Sequence, residues 1–379
     1  MKKHKSTINI NSCTHCATCL SVCPVYEITL NERYSPRGKI SLINAVNKNL
    51  INPNDKFVQE TISACLMCGK CSKICPADID ISFHLRDFRS KYMKNKYPSP
   101  ALFELSKKIL PFSKVSEFLA NKLYNLNKND VNSDSKSKKL LNRIKSVKKI
   151  LLFAGCVHKY LLNDVISHIK NFFYDSLLII PEEQTCCGMP FWSGGKKQIS
   201  AMIQKNIDIF LGYSPDIIIT GCESCAFMIQ NNWKDAFDAD SNYSKKALEF
   251  SSKTMEFTDF ISKNYDVRIS EKILKSLEGD VLYHSPCHKT SKNTEFFLKE
   301  LFGKKIKILP DKCCGFGGVF SLKHPEFSDD IFKKKINGTE LNNIKYLITN
   351  CSGCQLQFMK NLKIYSKNIK IVHPAQIIE

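Results

Sequence analysis

The chain has 379 residues, of which 43% are hydrophobic and 24% charged, with a formal net charge of +20. That length exceeds what one hydrophobic core usually serves, so two or three domains are expected, and the balance excludes disorder throughout. No run of about 18 apolar residues occurs, and the basic start lacks the apolar stretch of a secretory signal, so the expectation is a soluble, non-exported, cytoplasmic protein.

The 18 cysteines fall in tight clusters rather than in the dispersed pattern of a small secreted disulfide scaffold, and read as metal ligands. Cys13, Cys16, Cys19 and Cys23 followed by Pro24 have the spacing C-x-x-C-x-x-C-x-x-x-C-P, and Cys65, Cys68, Cys71 and Cys75 followed by Pro76 repeat it. This is the bacterial ferredoxin run, in which three close thiolates hold one 4Fe-4S cubane and the fourth cysteine serves the other cluster. The expected pairing is therefore Cys13, Cys16 and Cys19 with Cys75, and Cys65, Cys68 and Cys71 with Cys23. Zinc is the bland alternative, but paired C-x-x-C knuckles give no reason for four-cysteine runs closed by proline. Between the runs, residues 37–48 and 55–64 carry helix-like patterns, which a compact ferredoxin of two hairpins would not accommodate.

Residues 91–150 hold 14 lysines and one arginine against four acids, a net +11. Leu102, Leu105 and Ile109, then Val115, Phe118 and Leu119, are spaced for amphipathic helices broken by Pro111, and residues 127–139 read as a polar linker. Such a stretch suits an acidic membrane surface, an acidic partner or simply solvent. Thiolate-held clusters would bring the formal charge down to roughly +10, so a nucleic-acid partner is not invoked.

The remaining ten cysteines form two sets with one pattern. Cys156, Cys186, Cys187, Cys222 and Cys225 are separated by 30, 35 and 3 residues around the vicinal pair, and Cys287, Cys313, Cys314, Cys351 and Cys354 by 26, 37 and 3. The neighbours repeat as well: Gly188 and Gly315 follow the pairs, and Thr220-Gly221-Cys222-Glu223-Ser224-Cys225 matches Thr349-Asn350-Cys351-Ser352-Gly353-Cys354. Strands are expected at residues 148–153, 216–220, 280–284 and 345–349, with helices at 161–173 and 226–233. Cys156, Cys222, Cys287 and Cys351 are then each expected where a strand ends and a helix begins, the crevice of an open α/β sheet. The glycines after the cysteine pairs are expected to let the backbone pass close to a bulky cluster. Five thiols exceed the four that zinc needs, although zinc with a spare thiol or a vicinal redox disulfide are alternatives. His158, His284 and His288 stand beside these ligands and read as capping or packing residues; no catalytic residue is assigned.

In these motifs the chain resembles the iron-sulfur subunits that carry two ferredoxin motifs and two cysteine-rich CCG domains, a family including glycolate oxidase, lactate-utilisation and anaerobic glycerol-3-phosphate dehydrogenase subunits and the catalytic subunit of heterodisulfide reductase. The resemblance extends to Ser35-Pro36-Arg37-Gly38-Lys39-Ile40, His284-Ser285-Pro286-Cys287-His288, Cys313-Cys314-Gly315-Phe316-Gly317-Gly318 and Asn350-Cys351-Ser352-Gly353-Cys354-Gln355-Leu356-Gln357. It implies a multidomain chain: an α-helical dicluster ferredoxin domain at 1–95, a basic helical connector and linker at 96–145, and α/β tandem CCG repeats at 146–275 and 276–379. It also implies one or two further, non-cubane 4Fe-4S clusters at the five-cysteine sets, with zinc at one of them as the alternative.

No phosphate-binding turn for a flavin or NAD is expected on this chain: Gly315-Phe316-Gly317-Gly318 has the wrong spacing and Gly194-Gly195-Lys196 is too short for a P-loop. Substrate oxidation is thus assigned to an FAD-containing partner subunit. The expected function is an oxidoreductase subunit of a flavin-dependent 2-hydroxyacid dehydrogenase of the glycolate or lactate type. It would relay electrons to quinone or another acceptor, with peripheral attachment to the inner membrane face as one option. The alternatives are disulfide reduction at the CCG sites, or the iron-sulfur subunit of an anaerobic glycerol-3-phosphate dehydrogenase.

Overall fold

A computed structural model describes residues 10–93, 149–173, 178–195, 199–291, 293–366 and 368–379. The basic segment, its amphipathic helices and the linker lie outside the described residues, apart from residues 91–93 and 149–150 at its ends. Contacts divide the chain into two units. One holds described residues 10–93 together with 190–195 and 311–337; the other holds 149–189, 199–310 and 338–379.

The first unit is helical. Helices Pro36–Asn47, Lys56–Ser63 and Ile81–Tyr92 each present an apolar stripe, and Ile40, Ile43, Val46, Val58, Ile62, Leu85 and Phe88 from them form one buried cluster. Their starts are chemically marked. Ser35 Oγ accepts from Gly38 N at 2.9 Å and Asp80 Oδ1 from Phe83 N at 3.0 Å, each satisfying an amide that the helix itself leaves without a partner. Pro24 and Pro36 sit at the first helical positions, where the missing N–H costs nothing.

The second unit contains two four-stranded parallel sheets. Strands β1 (Ile150–Phe153), β2 (Leu178–Ile179), β3 (Ile217–Thr220) and β4 (Thr254–Glu256) run in the order β2-β1-β3-β4. Strands β5 (Asp280–Tyr283), β6 (Ile306–Ile308), β7 (Ile344–Ile348) and β8 (Lys370–Val372) repeat this as β6-β5-β7-β8. The central strands β1, β3, β5 and β7 are nearly continuous apolar runs because helices cover both faces of a parallel sheet. Ile150 and Ile219 of one sheet and Val281 and Ile348 of the other belong to a single buried cluster, so the repeats share a core. In each sheet the chain order reverses between the two central strands, the switch point where open α/β sheets form their crevice.

Among the described residues no helix is long and apolar enough to cross a membrane.

Candidate metal centres

None of the 18 cysteines is in a disulfide. In the first unit, the two ferredoxin runs share an unusual backbone. His15 and Ala17 of the first run and Met67 and Gly69 of the second, at equivalent positions, all have left-handed φ, at 55°, 67°, 57° and 73°. Three of these are not glycine, and each such residue costs about 1–2 kcal/mol. The conformation turns successive amides inward, a concavity suited to an anionic group.

Cys13, Cys16, Cys19 and Cys75 line one cavity, with Arg37 at its wall. Arg37 is held there by Glu32, through Nε–Oε1 at 2.5 Å, and by donating Nη1 to His15 O at 2.9 Å. Cys23 stands near Cys65, and Cys68 and Cys71 stand near both, with Cys313 also beside Cys68. Burial pushes the Cys19 thiol up to about 11 and holds Cys68 and Cys71 well above the ordinary range. Thiols so disposed ionise readily only when a metal cation replaces the proton, which fits a metal-binding donor set.

Sequence reasoning overlooked Lys39. Its side chain is 2% exposed, donates to the Tyr34 carbonyl and stands beside Cys23, Cys65 and Cys71. Burial lowers its pKa while those thiolates oppose the shift. Arg89 is likewise buried and donates to the carbonyls of Ile62 at 2.8 Å and Cys65 at 3.0 Å, fixing the entry to the second run.

In the second unit, Cys156 opens helix Cys156–Tyr160, and Cys222 and Cys351 are the residues preceding helices Glu223–Asn232 and Ser352–Asn361. Cys287 departs from expectation: a turn follows it, and the next helix begins only at Asn293. Cys156 Sγ lies 3.6 Å from Cys186 Sγ, too far for a disulfide and suited to two thiolates around one centre. Cys187 and Cys225 are close enough to share a hydrogen, as are Cys222 and Cys225, so all five cysteines of the first set are linked through neighbours. The backbone behind the vicinal pair is fixed: Asn206 Nδ2 donates to Cys186 O at 3.1 Å and Trp233 Nε1 to Cys187 O at 2.9 Å. Gly188 and Gly315 take φ of 92° and 90°, so the residue after each pair turns identically in a conformation that favours glycine. Of the second set, Cys287, Cys351 and Cys354 belong to this unit, whereas Cys313 and Cys314 belong to the first.

His158 Nε2 and Gln355 Oε1 lie 3.0 Å apart, and the His288 ring stacks on Phe227 with centroids 4.8 Å apart. His284 is fully buried with its ring 5.1 Å from that of Phe358. A buried acidic pair lies behind the ligand loops. Glu223 accepts from both the amide and the hydroxyl of Thr290 at 2.9 Å, and burial raises its carboxyl to about 7. Glu256 accepts from Thr258 N at 2.9 Å and Asp259 N at 3.2 Å, and burial holds it well above the ordinary carboxylate range.

Residues 9–79 match the family described as 4Fe-4S dicluster domain, and residues 150–230 and 281–359 each match the family described as cysteine-rich domain, CCG. Lactate utilization protein A of a Geobacillus species is 34% identical over 205 residues, covering 52% of this chain and 84% of that protein. Lactate utilization protein A 2 of Bacillus cereus is 28% identical over 244 residues, 61% of this chain and 97% of that protein. An uncharacterized iron-sulfur protein of Methanococcus maripaludis is 26% identical over 382 residues, 96% of this chain and 70% of that protein.

Proposed function

Since the chain belongs to the family of iron-sulfur subunits that join a 4Fe-4S dicluster domain to CCG domains, and so has an iron-sulfur electron-transfer role, we propose that it serves a flavin-dependent 2-hydroxyacid dehydrogenase of the lactate or glycolate type. The partner that carries the FAD removes two electrons from the substrate, and this chain passes them singly toward quinone or another acceptor. What supports the reading is the position of Cys75 at the cavity lined by Cys13, Cys16 and Cys19, and of Cys23 near Cys65, alongside relatives named for lactate utilization.

Cys13, Cys16, Cys19 and Cys75 would hold one cubane, and Cys65, Cys68, Cys71 and Cys23 the other. Cys156, Cys186, Cys187, Cys222 and Cys225 would hold a third centre, and Cys287, Cys313, Cys314, Cys351 and Cys354 a fourth. A 4Fe-4S cluster supplies, when bound, a one-electron donor and acceptor that no side chain offers. The chain contributes the surroundings. Arg37 and Lys39 place positive charge beside the two ferredoxin groups, which favours an added electron there. Burial of Cys186, Cys187, Cys222 and Cys225 keeps water from the cysteine-rich site.

The test is anaerobic copurification with a flavoprotein, followed by addition of L-lactate, D-lactate or glycolate. Bleaching of the iron-sulfur absorbance by one of them is expected. No bleaching with any 2-hydroxyacid, combined with viologen-dependent reduction of a small disulfide, would transfer the assignment to disulfide reduction.

A further inference from the structure

The two cysteine-rich repeats touch through the loops that carry their C-x-x-C motifs. Glu223 N donates to Asn350 O at 2.9 Å, locking the loops at the backbone. On either side of that bond stand two side-chain pairs of equal length. Ser224 Oγ lies 3.2 Å from Cys351 Sγ, and Ser352 Oγ lies 3.2 Å from Cys222 Sγ. Each serine thus meets a cysteine of the other repeat. When a cysteine ligates metal it has no proton, so in each pair the serine hydroxyl is the donor and the sulfur the acceptor.

We propose that Ser224 and Ser352 are positioning residues that set the reduction potentials of the two cysteine-rich centres in trans, Ser224 acting on the second set through Cys351 and Ser352 on the first through Cys222. The inference rests on the reading that both sets hold iron-sulfur centres. A hydrogen bond to a ligand sulfur stabilises the electron-rich state more than the electron-poor one, so it raises the potential of the centre that receives it. Burial sharpens the effect. Cys222 is 2% exposed, Cys351 3% and Ser352 7%, whereas Ser224 is half-buried, so water is kept more fully from the Cys222–Ser352 pair than from the Cys351–Ser224 pair. The reciprocity is not a by-product of the internal repeat. Ser224 aligns with Gly353 and Ser352 with Glu223, so the two repeats reach the same contact from different positions of the motif.

The experiment is a redox titration, followed by electron paramagnetic resonance, of the full chain purified without oxygen. Signals are assigned to the first set by their loss in Cys156→Ser and to the second by their loss in Cys287→Ser. Ser224→Ala should move only the second-set signal to more negative potential, and Ser352→Ala only the first-set signal. Ser→Thr at either position, which keeps the hydroxyl, should leave the wild-type value. A shift in the variant's own set, or none while iron and sulfide contents stay at the wild-type level, overturns the proposal and leaves the electron-transfer reading standing. Absence of iron and sulfide from both sets in the wild-type protein, found by metal analysis before any variant is made, overturns both.

Discussion

Glu256 shows how a single buried residue can couple the cysteine-rich unit to pH. It precedes helix Phe257–Asn264 and accepts the amides of Thr258 and Asp259, yet its carboxyl is fully buried and held protonated beyond the usual carboxylate range. His373, 4.0 Å away, does not supply a charge. Burial drives its pKa well below normal, and its ring is pinned as the neutral form: Nδ1 accepts Ala375 N at 3.1 Å, and Nε2 donates to Gly221 O at 2.8 Å. A carboxyl whose folded pKa is raised binds more protons in the folded state, so its stability contribution is full below the unfolded value of 4.5 and is lost as pH rises through the folded value. Glu256→Gln, which keeps an acceptor, should flatten that decline. The check is the melting temperature of both proteins from pH 5 upward, where a parallel decline in the variant would count against the account. Glu256→Ala should instead cost about 1–3 kcal/mol at low pH, since it strands two buried amides, and this cost should shrink as pH rises and the wild-type carboxyl loses its contribution.

At the scale of elements, the helix Pro36–Asn47 and the turn before it explain why the segment Ser35 to Ile40 has its composition. Within a few residues it supplies the cap Ser35, the cavity-wall cation Arg37 and the buried cation Lys39. Gly38 completes it for a steric reason: a Cβ there would overlap the Glu32 carbonyl oxygen and crowd Ser35 Oγ at 3.1 Å. Gly38→Ala should therefore destabilise the first unit by about 3 kcal/mol and displace Arg37 from the cavity wall, read as a lower melting temperature and reduced iron retention. An undisturbed melt would mean that the turn relaxes freely. The motif was legible in the sequence as a string shared with a family, but Lys39 was not legible as a neighbour of three cysteines. Its partners lie 16 to 32 positions away along the chain, and only the packing of the helices brings them to it.

For the whole molecule, ligand grouping depends on chain segments far apart in sequence. Cys75 lines the cavity of Cys13, Cys16 and Cys19, while Cys23 stands with the second run. If this crossed grouping holds the metal, Cys75→Ser should abolish the same spectroscopic signal as Cys16→Ser, and Cys23→Ser the same one as Cys68→Ser, each at a loss of about four irons from about sixteen. Matching of Cys75 with Cys68 instead would sink the crossed arrangement.

The amino-acid sequence alone determined the kind of ligand, the two ferredoxin runs, the internal repeat and the alternation of apolar strands with helices. The ferredoxin runs and strand patterns are written in spacings of a few residues, where local backbone geometry governs, and the internal repeat in two matching series of gaps of 26 to 37 residues. It misplaced the element after Cys287, because a helix start depends on caps and packing that an apolar strand does not announce. Tertiary structure alone decided what surrounds the thiols: Lys39 beneath one group, Arg37 beside the other, and Ser224 and Ser352 each bonded to the opposite repeat. Those relations join residues up to about 130 positions apart. They arise when the buried faces of helices and sheets close on one another, a process that linear spacing does not encode.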